Sequence, residues 1–188
     1  MANTNSPFGL RPLRNLDSTV LTLTAYTIAA AYSTPIGQGD PVQMSGTGRN
    51  VILAEAGNQD NIGGFMGCQY TNAKGELKWS NYWTGESNAA NIVCWVNDNP
   101  YTVFEMQSTT QAEVDVGQLV DWNAGTLNTA TGMSGAYIVG ATMATTGKAL
   151  RLLGLSRKLN NDYGAYAKME VMFVAHVLRS VVSSVGGI

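Results

Sequence analysis

Charge is what this chain has least of. Asp, Glu, Lys and Arg make up 13% of its 188 residues, against about 25% in ordinary soluble domains. Histidine occurs once, at His176, and cysteine twice, at Cys68 and Cys94. A zinc site of the usual ligands therefore cannot be completed without several carboxylates at spacings that nothing in the chain motivates. One pair of thiols is also no disulfide framework, so buried free cysteines are expected. No apolar run approaches the length that crosses a bilayer, and the opening MANTNSPFGLRP lacks the apolar stretch of a secretion signal. Gly63-Gly64 and Gly186-Gly187 lack the spacing and strand-to-helix setting of a phosphate loop. The sequence thus predicts no metal, no cofactor and no membrane partner.

What is present is a hydrophobic fraction of 45%, enough to bury one substantial core. The remaining surface must be largely Thr, Ser, Asn, Gln, Gly and Ala. Few ions lose their water when such a surface is covered, which suits a protein that lives against neighbours. Charge is also uneven. From Lys148 onward six bases face two acids, a balance of +4, whereas the preceding chain carries five bases and eleven acids, or −6. The late bases alternate with apolar residues instead of clustering, so a solvated face is expected there and a nucleic-acid partner is not.

The clearest period lies in Ala165 to Arg179. Ala167, Met169, Val171, Phe173, Ala175 and Val177 are apolar, while Lys168, Glu170 and His176 fall between them. Alternation of this kind predicts a long central strand with one buried face. Lys148 to Lys158 predicts its partner, joined to it by the turn residues Asn160 to Gly164. Upstream, Thr19 to Ile36 favours a strand, with a helical turn as the alternative for Tyr26 to Tyr32. Short strands are expected at Val42 to Met44 and Val51 to Ala56. Two hairpins follow: Phe65 to Thr71 with Leu77 to Trp83, and the alternating run Asn91 to Val96 with Tyr101 to Gln107. Residues Thr126 to Thr146 predict a Gly-rich connector holding a short strand at Ala136 to Val139.

The fold class expected is all-β, an antiparallel barrel or two-sheet sandwich with few short helical turns. Residues 1–18 form an extended N-terminal arm on this reading, and residues 19–188 a single body with a tail from about 180. Pro7 and Pro12 bar a regular helix in the arm, yet Phe8, Leu10, Leu13 and Leu16 are apolar. Such a segment must dock, on a neighbour or back on its own body, and Arg11 and Arg14 can pair with carboxylates there. In the tail, Val181, Val185 and Ile188 are expected to dock on a neighbouring subunit; a frayed terminus is the alternative.

Three groups are candidates for chemistry. Leu77, Trp79 and Trp83 share a strand phase, which predicts two indoles on one side, either a sugar platform or packing. Glu113 and Asp115, with Asp121 nearby, resemble a paired-carboxylate site, but nothing around them promises the apolar setting that raises a carboxyl pKa. His176 has Lys168 and Glu170 on its strand phase, and neighbours along one strand do not converge on a reacting atom. No catalytic residue is predicted.

The segments ANTNSPFGLRPLR, GQGDPVQM, NPYTVFEMQ and LRLLGLSRKLNNDYGAYAKMEVMFVAH resemble those of the head decoration, or cement, proteins of tailed bacteriophages. The resemblance covers most of the chain through short structural motifs. It implies a β-rich, non-enzymatic virion protein, made in the bacterial host cytoplasm and sited on the outer capsid surface. Its partners would be the major capsid protein and neighbouring copies of itself, as dimer or trimer. Phe8, Leu10, Arg11 and Arg14 would be arm contacts. The competing expectations are a carbohydrate-binding module using Trp79 and Trp83, and a small hydrolase using Glu113, Asp115 or Asp121.

Overall fold

Strand-forming residues dominate the computed structural model, which describes residues 3–57 and 60–179. The chain is all-β, with two six-stranded antiparallel sheets, a two-stranded ribbon and, among the described residues, one 3-10 turn at Glu113–Asp115. Neither large sheet closes on itself, which leaves the sandwich rather than the barrel.

The first sheet contains β1 (Arg11–Asn15), β8 (Thr102–Gln107), β14 (Lys168–Phe173), β12 (Leu150–Leu155), β10 (Leu119–Asn123) and β11 (Tyr137–Ala144), in that spatial order. The predicted central strand is there, between β8 and β12, with Met169, Val171 and Phe173 buried and Lys168, Glu170 and Met172 on the other side. It is shorter than the alternation suggested. Beyond Phe173 the chain bends, and His176 makes an isolated bridge to Asn61 instead of extending the ladder. Its partner is likewise trimmed from Lys148–Lys158 to β12, and the link between them carries β13 (Gly164–Ala165), which pairs with β9 (Thr110–Gln111).

The second sheet runs β2 (Thr24–Thr27), β7 (Ala90–Asn97), β5 (Asn61–Thr71), β3 (Pro41–Met44) and β4 (Val51–Leu53), and β6 (Leu77–Ser80) pairs with the far half of β5. Only four residues of the Thr19–Ile36 run are strand; Ala29 to Tyr32 forms a tight turn closed by Tyr32 N–H on the Ala29 carbonyl. The hairpin expected from β7 and β8 does not exist. The Asn97–Pro100 turn residues instead carry the chain across from one sheet to the other, because β8 finds partners on both its edges in the first sheet.

Each sheet covers its own buried cluster. Leu10, Phe104, Trp122, Leu152, Val171 and Phe173 belong to the first, and Ile36, Phe65, Tyr70, Trp83, Cys94 and Val96 to the second. The seam between them is tight at Gly64, where an added Cβ would stand 3.4 Å from both Leu10 Cβ and Phe104 Cε1. Leu10 N–H donates to the Gly39 carbonyl and Gly39 N–H to that of Phe65, both at 2.7 Å. Beside them the Asp40 carboxylate accepts from Gly37 N–H at 2.6 Å and from the Ser134 hydroxyl.

The N-terminal segment is part of this construction. Its residues 11–15 are the edge strand β1, in register with β8 from Arg11 opposite Glu105 to Asn15 opposite Thr102. Of the two destinations open to the arm, the chain's own body is the one it occupies.

Candidate functional surface

Side chains on one strand alternate between faces, so the inner residues of the second sheet fix what its outer face presents. Cys68, Tyr70, Ile92, Cys94 and Val96 point inward; Gly67, Gln69, Val93, Trp95, Leu77 and Trp79 therefore share the opposite phase. Trp95 is paired across the ladder with Gly67, and Trp79 with Gln69. Gly67 has a φ of +137°, and a Cβ there would meet the Ser80 carbonyl oxygen at 3.0 Å. Backbone of Ser80 and Asn81 occupies the place a side chain at Gly67 would take, and on the same face the indoles of Trp79 and Trp95 stack with centroids 4.9 Å apart and planes 7° from parallel. Trp79 is still 68% exposed and Leu77 62%.

Leu23, Met66, Gly67, Cys68, Ser80 and the two indoles line a shallow hollow of about 450 Å³ that contains no ionisable group other than a buried thiol. Leu16, Val20 and Leu21, in the segment leading to β2, are also exposed. Exposed apolar residues in this number make the face the candidate interaction surface.

The sequence placed the second indole wrongly. The strand β6 stops at Ser80, and the bend that follows turns Trp83 into the core, fully buried, edge-on to Tyr70 at 5.2 Å and donating from Nε1 to the Tyr32 carbonyl. The missed partner, Trp95, had a legible signal: it is the aromatic residue on the polar phase of a strand whose other phase is Ile92, Cys94 and Val96.

The first sheet's outer face is of the opposite character. Glu105, with no exposed side-chain surface, accepts from Ser156 Oγ at 2.7 Å and from Lys158 Nζ at 2.5 Å, and pairs with Arg11 at 3.3 Å. Burial by itself would push this carboxyl up; hydrogen bonds from Lys158 and Ser156 and the charges of Lys158 and Arg11 outweigh it, leaving the group below the usual Glu range. Glu170, its cross-strand neighbour, is held by Arg14 at 2.7 Å. Arg14, Glu170, Ser156 and Lys158 border a polar groove of about 890 Å³ lined also by Glu113, Arg157, Asn161 and Tyr163.

The arm residues are thus committed within the chain. Leu10 is 1% exposed and Phe8 is buried with the Arg11 guanidinium 4.4 Å from its ring centroid. Arg11 and Arg14 remain half exposed while bonded to Glu105 and Glu170. Val181, Val185 and Ile188 lie outside the described residues.

The acidic candidates have separate occupations. Asp115 accepts from Ala112 N–H at 2.6 Å within its own turn, Asp121 is bound by Lys148 Nζ at 2.7 Å, and Glu113 lies at the groove. His176 is buried at the seam, its Nδ1 accepting from Leu178 N–H at 3.2 Å and its ring 6.1 Å from that of Phe173. Among the described residues no three His, Cys, Asp or Glu side chains gather as a metal site would require, and no helix is long and apolar enough to cross a membrane.

Comparison with known proteins returned nothing: no family model matches the chain, no curated protein is significantly similar in sequence, and no solved structure is significantly similar in fold.

Proposed function

We propose that this chain is a structural virion subunit that binds the outside of a tailed-phage capsid shell and reinforces it by bridging capsomers. The observation that supports the reading is the outer face of the second sheet, where Trp79, Trp95, Leu77 and Leu23 stand at the surface without an ion among the lining groups. The sequence resemblance supplies the capsid, and the face supplies a way to bind it. A shell under outward pressure from packed DNA is held by many modest contacts, since each bound subunit keeps its remaining contacts at high effective concentration. An interface of about 1,600 Å² per pair is ordinary for such contacts, and a face poor in charge dehydrates at little cost.

The contact surface differs from the one the arm residues suggested. Leu10 and Phe8 belong to the body's own packing, so partners meet the Trp79 face, the Leu16–Leu23 segment and the half-exposed Arg11 and Arg14. The test is cosedimentation of the purified protein with undecorated heads of the phage that encodes it, with native protein and Trp79→Asp in parallel. Saturable binding by the first and none by a folded second is expected. Equal binding by both removes the face from the interface, and no binding by either removes the capsid reading.

A carbohydrate-binding module is the second reading, favoured by the same stacked indoles, with Trp95 in place of Trp83. Glycan binding that Trp79→Ala abolishes in a folded protein, without shell binding, would establish it instead.

A further inference from the structure

The two cysteines of the chain stand directly opposite one another. Cys68 on β5 is the register partner of Cys94 on β7, both are fully buried, and both belong to the second sheet's inner cluster. Residues directly opposed in an antiparallel ladder have Cα atoms about 4.5–5.5 Å apart, within the roughly 4.4–6.8 Å that a disulfide spans. Their side chains leave the same face of the sheet, so the ladder itself delivers the two sulfurs side by side. Both are free thiols here, and Cys68 Sγ donates to the Tyr82 carbonyl oxygen at 3.5 Å.

We infer that Cys68 and Cys94 form a latent cross-strand disulfide site, closed by a small-molecule disulfide such as glutathione disulfide while the chain is unfolded or opening, and sealed in the core afterwards. The exchange balances without further reagents. One cysteine thiolate attacks a sulfur of glutathione disulfide, breaking its S–S bond and releasing one glutathione thiolate. The second cysteine attacks the protein sulfur of that mixed disulfide and releases the other glutathione. The protein dithiol loses two electrons, one glutathione disulfide gains them, and the two thiol protons end on the two glutathiones.

Burial explains why the site reacts only before it closes. It pushes both thiols up to about 12, and the thiolate is the attacking species. The folded protein therefore offers almost no nucleophile, and neither sulfur is open to an oxidant from solvent. The bridge would tie the two strands that carry Trp95 and Gly67, and by restricting the unfolded chain it would hold that sheet together more strongly.

The experiment compares two samples of the full chain at mildly alkaline pH. One is unfolded in denaturant with its thiols reduced, then refolded in glutathione disulfide; the other is folded first and then given the same oxidant. Expected for the first are a mass lower by two hydrogens, resistance to alkylation, a proteolytic fragment joining Cys68 to Cys94, and a higher denaturation midpoint than the reduced protein. The second is expected to keep both thiols for far longer. A refolded product with both thiols free, one carrying separate glutathione adducts, or a bridged product with a lowered midpoint would overturn the inference. Equal oxidation rates in the two samples would overturn the sealing. Cys68→Ala serves as the unbridgeable control; should it not fold, the masses and midpoints of the native chain decide by themselves.

Discussion

The two sheets answer the same scarcity of charge in opposite ways. Four ion pairs lie in the first sheet and its loops: Arg11 and Lys158 on Glu105, Arg14 on Glu170, Lys148 on Asp121. The second sheet instead shows a stacked indole pair, and its Asp98 carboxylate accepts from the Tyr26 and Thr24 hydroxyls. The first sheet's polar face is thereby satisfied within the chain, while the second's is left with apolar area facing water. The difference also accounts for the lopsided charge of the sequence. The late bases Lys148 and Lys158 reach back to the earlier acids Asp121 and Glu105, so part of the +4 expected to face solvent neutralises part of the −6.

Glu105→Ala should separate the sheets most sharply. The carboxylate is enclosed, and across the ladder it faces Arg11 on one side and Glu170 on the other. Removing one partner of a buried pair costs about 3–5 kcal/mol; because Arg11 and Lys158 are partly exposed and can regain water, about 2–3 kcal/mol is expected by the same principle. Chemical denaturation gives the number, and a loss under about 0.5 kcal/mol, typical of an unremarkable surface site, would mean that the network is decorative. The same group sets an acid limb. Its folded pKa is depressed, so its stabilisation is present above the unfolded Glu value and disappears as pH falls through the folded one. Asp40 at the seam runs the other way: burial raises it against the hydrogen bonds from Ser134 and Gly37, so it favours the fold as pH falls toward the unfolded Asp value.

A gentler probe acts at the seam at milder pH. Burial depresses His176 below its usual 6.5, opposed by the Ile62 backbone and Asp98 and assisted by Arg179. Below about 6.5 the unfolded chain takes up a proton that the folded one refuses, so stability falls on acidification by at most about 1.4 kcal/mol per pH unit. Denaturation between pH 7.5 and 5.0 should show this slope in the native chain and a flatter one in His176→Leu. The shape of the profile is read, not its height, since the substitution also repacks the seam. Equal slopes would place the histidine in solvent.

Alternation carried the legible part of the fold. Met169, Val171 and Phe173 told their face correctly because a strand with one buried side repeats every two residues whatever its neighbours are. Their strand ended early, however, because Ala175 and Val177 keep the period after the chain has bent to bring His176 to Asn61, and a bend leaves no mark on alternation. The sheet crossing after Asn97 was illegible for a similar reason. Asn-Asp-Asn-Pro is turn chemistry, and it does not say whether the next strand returns to the same sheet. Trp83 failed by extrapolation past Ser80, where β6 stops. The arm was half legible: its apolar residues had to dock, but that the partner is its own body shows only in the structure, in the β1–β8 ladder, the buried Leu10 and the Arg11–Glu105 and Arg14–Glu170 pairs.

Arg14→Ala measures how much of that homecoming is electrostatic. The Arg14–Glu170 bridge is short, yet Arg14 is 51% exposed, and exposed pairs contribute about 0–1 kcal/mol. The strand β1 is also held by its ladder to β8 and by Leu10 in the core, so a loss below about 1 kcal/mol is expected, diminishing with added salt. A larger, salt-insensitive loss would show that the pair, not the apolar contacts, seats the strand.

Trp79→Ser should change stability least of all and association most. The indole already stands in water over most of its surface, so the folded chain loses little beyond its contact with Trp95; aromatic pairs are worth about 0.5–1.5 kcal/mol, and the exposed one here belongs at the low end. Removing apolar area from an uncovered face also makes that face more soluble. If the second sheet is the side that partners cover, Trp79→Ser keeps its denaturation midpoint and loses the capacity to bind shells or other copies in sedimentation. If it instead unfolds the sheet while leaving association of the folded fraction untouched, the stacked pair is packing internal to the sheet. The contrast between a self-satisfied sheet and a partner-seeking one would then have to be abandoned.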